Sequence, residues 1–257
     1  MYFEGHCQTA AEFYNKGNSN YRLQNYRRAI ADYSKAVEID SKYVGAYYNR
    51  GVIKTELQEY EGAIADFSKA IELNPLLVYA YYNRGISKHH LKDYRGAIAD
   101  YSKAIEINAE YKDAYMNRGS SKAKIQDHQG AIADYSKAIE LDPKYVEAYN
   151  NRGLSKAELQ NHKGAIADYS KAIVVYHKFV EAYKNRGISK HYLKDYRGAI
   201  ADYSKAIDID PRDAGAYINR GLVKIELGQK DSACLDFSKA GDLGFAAAYE
   251  RIREYCN

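Results

Sequence analysis

The amino-acid sequence predicts an all-α solenoid, in which pairs of antiparallel helices stack along the chain. Three observations predict it: a 34-residue repeat, two stretches of helical length in each repeat, and the absence of strand-like alternation of apolar and polar residues. The triplet Asn-Arg-Gly recurs every 34 residues, and Asn15-Lys16-Gly17 extends the series by one copy. The seven copies begin at Asn15, Asn49, Asn83, Asn117, Asn151, Asn185 and Asn219.

The seven repeats fill almost the whole chain of 257 residues. We expect a leader at residues 1–9, one solenoid domain of seven repeats at residues 10–247 and a closing helix at residues 248–257. The leader contains Tyr2-Phe3-Glu4-Gly5-His6, which is similar to a protease-tag remnant. A closing helix is expected because the last repeat of a solenoid has an apolar face to cover.

Within each repeat, the spacing of apolar residues predicts two helices. In residues 43–76, the first helix runs to about Leu57 and the second is Tyr60–Leu73, with small and apolar residues every three or four positions. Gly51 inside the first helix costs about 1 kcal/mol relative to alanine, so its recurrence predicts close contact with the small Ala63. Three prolines follow second helices, where proline ends a helix without breaking it: Pro75, Pro143 and Pro211.

These features resemble the tetratricopeptide repeat. The family pattern of an aromatic residue, Leu-Gly, a second aromatic, Ala, a third aromatic, Ala and Pro corresponds to Tyr47, Arg50-Gly51, Lys54, Ala63, Phe67, Ala70 and Pro75. Arg50 and Lys54 depart from the pattern, and both departures recur in the later copies. The resemblance, which extends to the closing helix of bacterial members, implies a right-handed superhelix of seven helix pairs. In this family the first helices line a concave groove that takes a protein partner.

Tyrosine dominates the aromatic residues, with 28 Tyr, 6 Phe and no Trp. Nineteen of these tyrosines occupy positions that recur between repeats, such as the columns of Tyr33 and Tyr47. A residue that is the same in every repeat is better suited to hold repeats together than to recognise one partner. We therefore expect these tyrosines to fill the interfaces between helices.

The net charge of +4 raises the question of nucleic-acid binding. Half of the 38 Lys and Arg residues, however, recur in columns that include Arg50 and Lys54, and an Asp column represented by Asp66 runs beside them. We expect each Arg of its column to pair with a second-helix Asp, and the same Asp to offset the repulsion between Arg50 and Lys54. Paired basic columns argue against a nucleic-acid partner.

The seven recurring asparagines, called here the Asn ladder, are the main candidate site. Asparagine is unfavourable inside a helix because its side chain competes for backbone hydrogen bonds, so seven copies need a reason. An amide both donates and accepts hydrogen bonds, and a row of amides can bind the backbone of an extended peptide, as the family resemblance implies. The alternative is that these side chains bond neighbouring helices or only water.

The positions beside the Asn ladder vary between repeats, as a recognition surface does. We expect peptide contacts from Tyr48, Tyr82, Ile86, Leu154, Lys184 and Ile188. Acidic groove candidates outnumber basic ones, so the groove is not expected to be basic. A two-carboxylate clamp for chaperone C-termini is disfavoured, because Tyr14, Tyr79 and Asn83 stand where that clamp has cations.

Other functional classes have little support. No phosphate loop, nucleophile motif or zinc-protease spacing is present, so we expect no catalytic residue, no metal and no cofactor. His128 and His162 replace tyrosines of a column and are expected to pack as aromatic rings. Cys7, Cys234 and Cys256 are odd in number and far apart, which predicts free thiols. No apolar stretch is long enough to span a membrane, and we expect a cytoplasmic protein.

These observations predict a non-enzymatic scaffold or adaptor that binds an extended peptide through the Asn ladder, without a nucleic-acid or membrane partner. Two alternatives stay open. The chain could assemble with copies of itself as a homo-oligomeric scaffold, or it could be a module excised from a larger enzyme or secretion machine.

Overall fold

A computed structural model describes residues 8–256, which form fifteen α-helices and no β-strand. The helices divide into two compact units between Gln126 and Asp127. The first unit contains α1 (Ala10–Arg22), α2 (Tyr26–Ile39), α3 (Val44–Glu56), α4 (Tyr60–Leu73), α5 (Val78–His90), α6 (Tyr94–Ile107) and α7 (Lys112–Lys124). The second contains α8 (His128–Leu141), α9 (Val146–Glu158), α10 (His162–Val175), α11 (Val180–Tyr192), α12 (Tyr196–Ile209), α13 (Ala214–Glu226), α14 (Lys230–Asp242) and α15 (Ala247–Tyr255).

Consecutive helices pack against one another within each unit, which confirms the predicted all-α solenoid of helix pairs. The bounds of α3 and α4 agree with the two helices that the apolar spacing predicts, and α4, α8 and α12 each end two residues before a proline. The closing helix α15 begins at Ala247, one residue before the predicted start. Residues 1–7 of the predicted leader lie outside the described residues.

The turns within repeats contain a left-handed residue, and four of them also carry a capping side chain. After α5, Lys92 has a φ of 63°, and after α13 the same place is taken by Gly228 with a φ of 73°. The next helix then begins at an N-cap such as Asp93, whose carboxylate accepts a hydrogen bond from the backbone N–H of Gly96 at 2.9 Å. Such caps fix where α6, α8, α10 and α12 start, whereas α2, α4 and α14 begin without a side-chain cap hydrogen bond.

The core of each repeat is built from alanine and one aromatic ring of the second helix. That ring is at most 2% exposed in the whole column: Tyr33, Phe67, Tyr101, Tyr135, Tyr169, Tyr203 and Phe237. The prediction that repeated tyrosines fill helix interfaces is confirmed for this column. Five of the 28 tyrosines are therefore core residues of the scaffold.

The recurring glycine of the first helix is required by this ring. A Cβ added at Gly51 would lie 2.8 Å from Cε1 of Phe67, and one at Gly85 would lie 2.7 Å from Cε1 of Tyr101. The prediction of a close contact was right, but the nearest atoms belong to Phe67 and not to Ala63. The glycine allows the first helix to approach the face of a buried aromatic ring.

We expect Gly85→Ala to lower the free energy of unfolding by about 1–3 kcal/mol, because the added methyl overpacks the site against the buried Tyr101. Gly62→Ala is the matched control, since its Cβ would meet Cδ of the flexible Lys54 at 3.2 Å. The gain in helix propensity should leave that variant as stable as the wild type or up to about 1 kcal/mol more stable. Urea unfolding followed by circular dichroism measures both, and equal midpoints for the two variants would contradict the close-approach argument.

The predicted Arg-Asp pairs are present. Arg152 of α9 donates from Nε and Nη2 to both carboxylate oxygens of Asp168 on α10, at 2.9 and 2.7 Å. Lys156 Nζ lies 2.7 Å from Oδ2 of the same carboxylate, so one Asp pairs with both cations as expected. The arrangement repeats at Asp66, Asp100, Asp202 and Asp236.

A serine also recurs beside these pairs, for example at Ser68 and Ser136, and it bonds the arginine of the following repeat. Arg152 Nη1 donates to Oγ of Ser136, which lies one repeat earlier on α8, at 3.0 Å. The same bond links Arg84 to Ser68 at 3.0 Å, so each of these guanidinium groups joins its own repeat to the preceding one. Serine at this position is therefore a contact between repeats and not simply a surface residue.

One prediction about the cysteines is wrong. Cys234 on α14 and Cys256, which follows α15, form a disulfide across a separation of 22 residues. The closing helix is thus covalently tied to the last helix pair. Cys7 lies outside the described residues.

Candidate functional site

The Asn ladder lies on the first helices α1, α3, α5, α7, α9, α11 and α13. Asn15 is exposed, and the other six side chains are half-buried. We call the side of the first helices that carries these residues the ladder face, and describe it within each unit separately.

Several ladder amides tie one repeat to the repeat before it. In the first unit, Nδ2 of Asn83 donates to the Tyr48 hydroxyl at 3.0 Å, and Nδ2 of Asn117 donates to the Tyr82 hydroxyl at 2.9 Å. In the second unit, Nδ2 of Asn185 donates to Oδ1 of Asn150 at 3.0 Å. The N–H groups of these amides are thus used between helices. For Asn83, Asn117 and Asn185, the N–H half of the amide therefore bonds a neighbouring helix, as the alternative to peptide binding expects.

The carbonyl half of these same amides is open. Within residues 8–256, no hydrogen bond is donated to Oδ1 of Asn83, Asn117 or Asn185. While Nδ2 makes this bond, the amide is held in place and its carbonyl oxygen remains an acceptor. The ladder face of these repeats therefore presents oriented acceptors more than donors.

The remaining ladder residues differ from this pattern. Asn49 donates to Oδ1 of Asn18 at 3.0 Å and to the Tyr14 hydroxyl at 3.2 Å. Asn151 accepts at Oδ1 from Asn150 at 3.3 Å, and its Nδ2 has no partner in the described part of the chain. The sequence carries a signal for four of the contacts between repeats, because the residue that each ladder asparagine bonds stands 35 residues before it: Tyr14, Tyr48, Tyr82 and Asn150. Asn18, by contrast, stands 31 residues before Asn49.

The tyrosines beside the ladder stay protonated at neutral pH. Burial is the largest cause that raises the pKa of Tyr82 to about 12, with a further rise from the charge of Asp113, against which the bond from Asn117 acts. Burial likewise raises the pKa of Tyr48, although the bond from Asn83 opposes it. Each hydroxyl oxygen accepts from an asparagine while its hydrogen can still be donated to a ligand.

Two cavities open at corresponding places of successive repeats in the second unit. One, of about 540 Å³, is lined by Asn219, Leu222 and Tyr203, and the other, of about 240 Å³, by Asn185, Leu154 and Tyr169. Ile188 and Tyr192 line both. Leu154 and Ile188 are 40% and 37% exposed, which is high for large apolar side chains on a packed helix. The structure thus brings three predicted contacts, Leu154, Ile188 and the amide of Asn185, to one cavity.

The other predicted contact residues are placed differently. Lys184 forms an ion pair with Asp213, with Nζ 2.6 Å from Oδ2, so its charge is already compensated. Ile86 on α5 is half-buried. Asn15 lines a cavity of about 890 Å³ formed by α1 and α2. All of the predicted peptide contacts, Lys184 and Ile86 among them, stay predictions.

The described residues carry neither a candidate metal site nor a candidate membrane-spanning helix. No group of three or more His, Cys, Asp and Glu within residues 8–256 is arranged to hold a metal ion. No described helix combines the length and the apolar character that a membrane-spanning segment requires.

Family models decide what kind of protein this is. The model described as "TPR repeat" matches residues 17–56 and 121–160, and the model described as "Tetratricopeptide repeat" matches residues 44–75, 78–111 and 180–213. Together these matches cover well over half of the chain. The chain belongs to the tetratricopeptide-repeat (TPR) family. No functionally curated protein matches the sequence significantly.

Solved structures of TPR proteins resemble this one closely. YrrB, described as a TPR protein with an unusual peptide-binding site, is 25% identical with a TM-score of 0.62, over 72% of this chain and 95% of YrrB. A TPR protein from Parabacteroides merdae is 20% identical with a TM-score of 0.70, over 96% of this chain and 99% of that one. The C-terminal part of a TPR protein from Cytophaga hutchinsonii is 17% identical with a TM-score of 0.77, over 92% and 98%.

The family sets the broad class of function. TPR repeats are in general interaction modules without enzymatic activity, and this TPR chain is accordingly supported as a protein-interaction scaffold with a protein or peptide partner. Self-association and an origin in a larger protein are untested and stay predictions.

Proposed function

We propose that this TPR protein is a non-enzymatic adaptor that binds an extended peptide on the ladder face of its repeats. The peptide backbone would donate hydrogen bonds to the open carbonyl oxygens of the Asn ladder. Apolar side chains of the peptide would contact Leu154, Ile188 and Leu222, which lie beside the ladder in the second unit.

The observation that carries this proposal is the oriented acceptor. An extended peptide exposes one N–H group per residue, and each must find an acceptor when the peptide leaves water. Asn185 offers Oδ1, held in place by the bond from its own Nδ2 to Asn150. Such contacts recognise a peptide backbone, while the variable neighbours select among side chains.

The named relative adds support of a different kind. YrrB is described as having a peptide-binding site, and it matches most of this chain at 25% identity. The description applies to YrrB, and we infer the same class of ligand for this chain because its ladder face offers the acceptors and apolar contacts that a peptide requires.

The test uses short random peptides, displayed on phage, selected on the wild-type protein and then measured by fluorescence polarisation. We expect the double variant Asn151→Ala and Asn219→Ala to weaken binding of a selected peptide by about 10-fold or more. It removes the open Nδ2 of Asn151, which would donate to a peptide carbonyl, and the whole amide of Asn219, and each lost hydrogen bond costs about 1 kcal/mol. Neither amide donates to a neighbouring repeat within residues 8–256, so the fold should be preserved.

The matched control is the double variant Lys171→Ala and Ser238→Ala, because both side chains are exposed on second helices. Affinity should not change in this control. Equal loss of affinity in both double variants, or unchanged affinity in the asparagine variant, would rule out the ladder as the binding site.

A further inference from the structure

We propose that the cavity among α9, α10 and α11 binds the side chain of a tyrosine from the partner peptide. The cavity measures about 240 Å³ and lies in the second unit, next to Asn185 of the ladder. This inference rests on the proposed function and adds to it the chemistry of one anchor residue.

Two buried polar side chains in this cavity lack hydrogen-bond partners. Ser189 is 1% exposed and its Oγ has no partner, and His162 is 7% exposed with neither ring nitrogen bonded. Buried polar groups are nearly always satisfied, because leaving one unsatisfied is costly. Both side chains line the cavity, so a ligand that both donates and accepts would satisfy them.

Other repeats of the same chain supply the partner that this serine lacks. Oγ of Ser87 lies 3.0 Å from the hydroxyl of Thr55, and Oγ of Ser121 lies 2.8 Å from Nδ1 of His89. In both cases the partner stands 32 residues before the serine. Ala157 occupies that position here, and its methyl group can neither donate nor accept. Ser189 therefore lacks the hydroxyl or ring nitrogen that bonds the equivalent serines.

An exchange of two aromatic residues gives the cavity its second open group. In the first unit Tyr60 stacks on His90, with ring centroids 4.8 Å apart and planes within 3°. Three repeats later the residue types are exchanged, and His162 stacks on Tyr192 at 4.6 Å and 6°. The buried ring is now that of His162, which is shorter than tyrosine and has no hydroxyl. Tyr192 is 66% exposed at the mouth of the cavity.

The remaining walls combine an apolar surface with two exposed polar side chains, Glu158 and Gln160. Leu154, Ile188 and Tyr192 contribute apolar and aromatic surface. An apolar cavity of about 150 Å³ already accepts benzene, so the volume here is sufficient for one six-membered ring with a polar group. The side chain that combines such a ring with a hydroxyl is that of tyrosine.

Competing side chains fit less well. Phenylalanine would leave Ser189 and His162 unsatisfied. The ammonium of lysine could pair with the exposed Glu158 of the lining, but it could not accept a hydrogen bond from Ser189 or His162. The Tyr169 hydroxyl is also nearby. Burial, and then the charge of Asp168, raise the pKa of Tyr169. The adjacent Ser189 lowers this pKa, although its Oγ does not meet the geometry of a hydrogen bond. Tyr169 thus stays a neutral hydroxyl that a phenol can meet.

The test uses p-cresol, which is the tyrosine side chain without its backbone, with toluene as the phenylalanine equivalent. NMR titration of the whole chain should show p-cresol binding at least about 10-fold more tightly than toluene, with shifts in the His162 ring and Ser189 signals. Ala157→Thr introduces a hydroxyl equivalent to that of Thr55 into this repeat. It should weaken p-cresol binding at least about 10-fold, because the new side chain fills the site.

The outcomes separate this inference from the proposed function. The double variant Asn151→Ala and Asn219→Ala should leave p-cresol binding unchanged while weakening peptide binding. Peptides selected on the wild type should be enriched in tyrosine, and those selected on Ala157→Thr should not. Equal affinity for p-cresol and toluene, absence of p-cresol binding, or an unaffected Ala157→Thr variant would overturn the tyrosine site even if peptides bind the ladder.

Discussion

Replacing Asp168 with alanine is expected to lower the free energy of unfolding by about 3–5 kcal/mol, because it leaves two nearby cations without their partner. The Asp168 carboxylate is buried and receives two hydrogen bonds from Arg152 and an ion pair from Lys156. The guanidinium of Arg152 also lies 5.7 Å from the centre of the Tyr149 ring, so it cannot leave without losing that contact. Urea unfolding followed by circular dichroism measures the change.

The matched control for this variant is Asp208→Ala. Asp208 pairs with Lys205 at 4.0 Å, and 68% of its side chain is exposed. An exposed pair of this kind contributes at most about 1 kcal/mol. If Asp168→Ala and Asp208→Ala lowered stability equally, the carboxylate columns would not be the structural ties between helices that their geometry indicates.

The sequence predicted this network because its members recur together. Arg152, Lys156 and Asp168 each belong to a column with a 34-residue spacing, and like charges four residues apart require a compensating charge. Ser136 was not recognised as part of the network. Its partner lies 16 residues later in the next repeat, and a serine on a helix gives no signal of its own without coordinates.

The candidate site was less predictable than the scaffold. The sequence identified Asn185 and its apolar neighbours Leu154 and Ile188, but not the direction of the amide. That direction depends on the residue at the position of Asn150, which differs between repeats, and on the distance between two helices. Which half of an amide faces a ligand is a matter of tertiary geometry, not of residue type.

The open cavity shows the same limit in another way. An alanine such as Ala157 gives no sequence signal of a binding site. Its position becomes informative only when it is compared with Thr55 and His89, whose polar atoms bond serines of the next repeat. The disulfide was missed for a related reason. The odd number of cysteines did not predict which of them form a disulfide, and only the fold brings Cys234 close to Cys256.

The buried tyrosine column is expected to make the protein unfold at alkaline pH. Burial is the largest cause that raises the pKa of Tyr33 to about 12, from 10.0, and burial also raises the pKa of Tyr101 and Tyr203. A phenol with a raised pKa in the folded state stabilises the fold fully below pH 10, where both states keep the proton. This stability is lost as the pH rises from 10 towards the folded-state value.

The column itself offers matched variants, because Phe67 and Phe237 occupy it in two repeats. We expect Tyr101→Phe to unfold like the wild type at pH 8 and to lose stability less steeply above pH 10, by up to about 1.4 kcal/mol per pH unit. The reciprocal variant Phe67→Tyr should steepen the loss. Urea unfolding at several pH values measures these slopes, and the deprotonation of lysines cancels because it is common to all three proteins. Parallel pH profiles for the three proteins would mean that these phenols ionise without unfolding the chain.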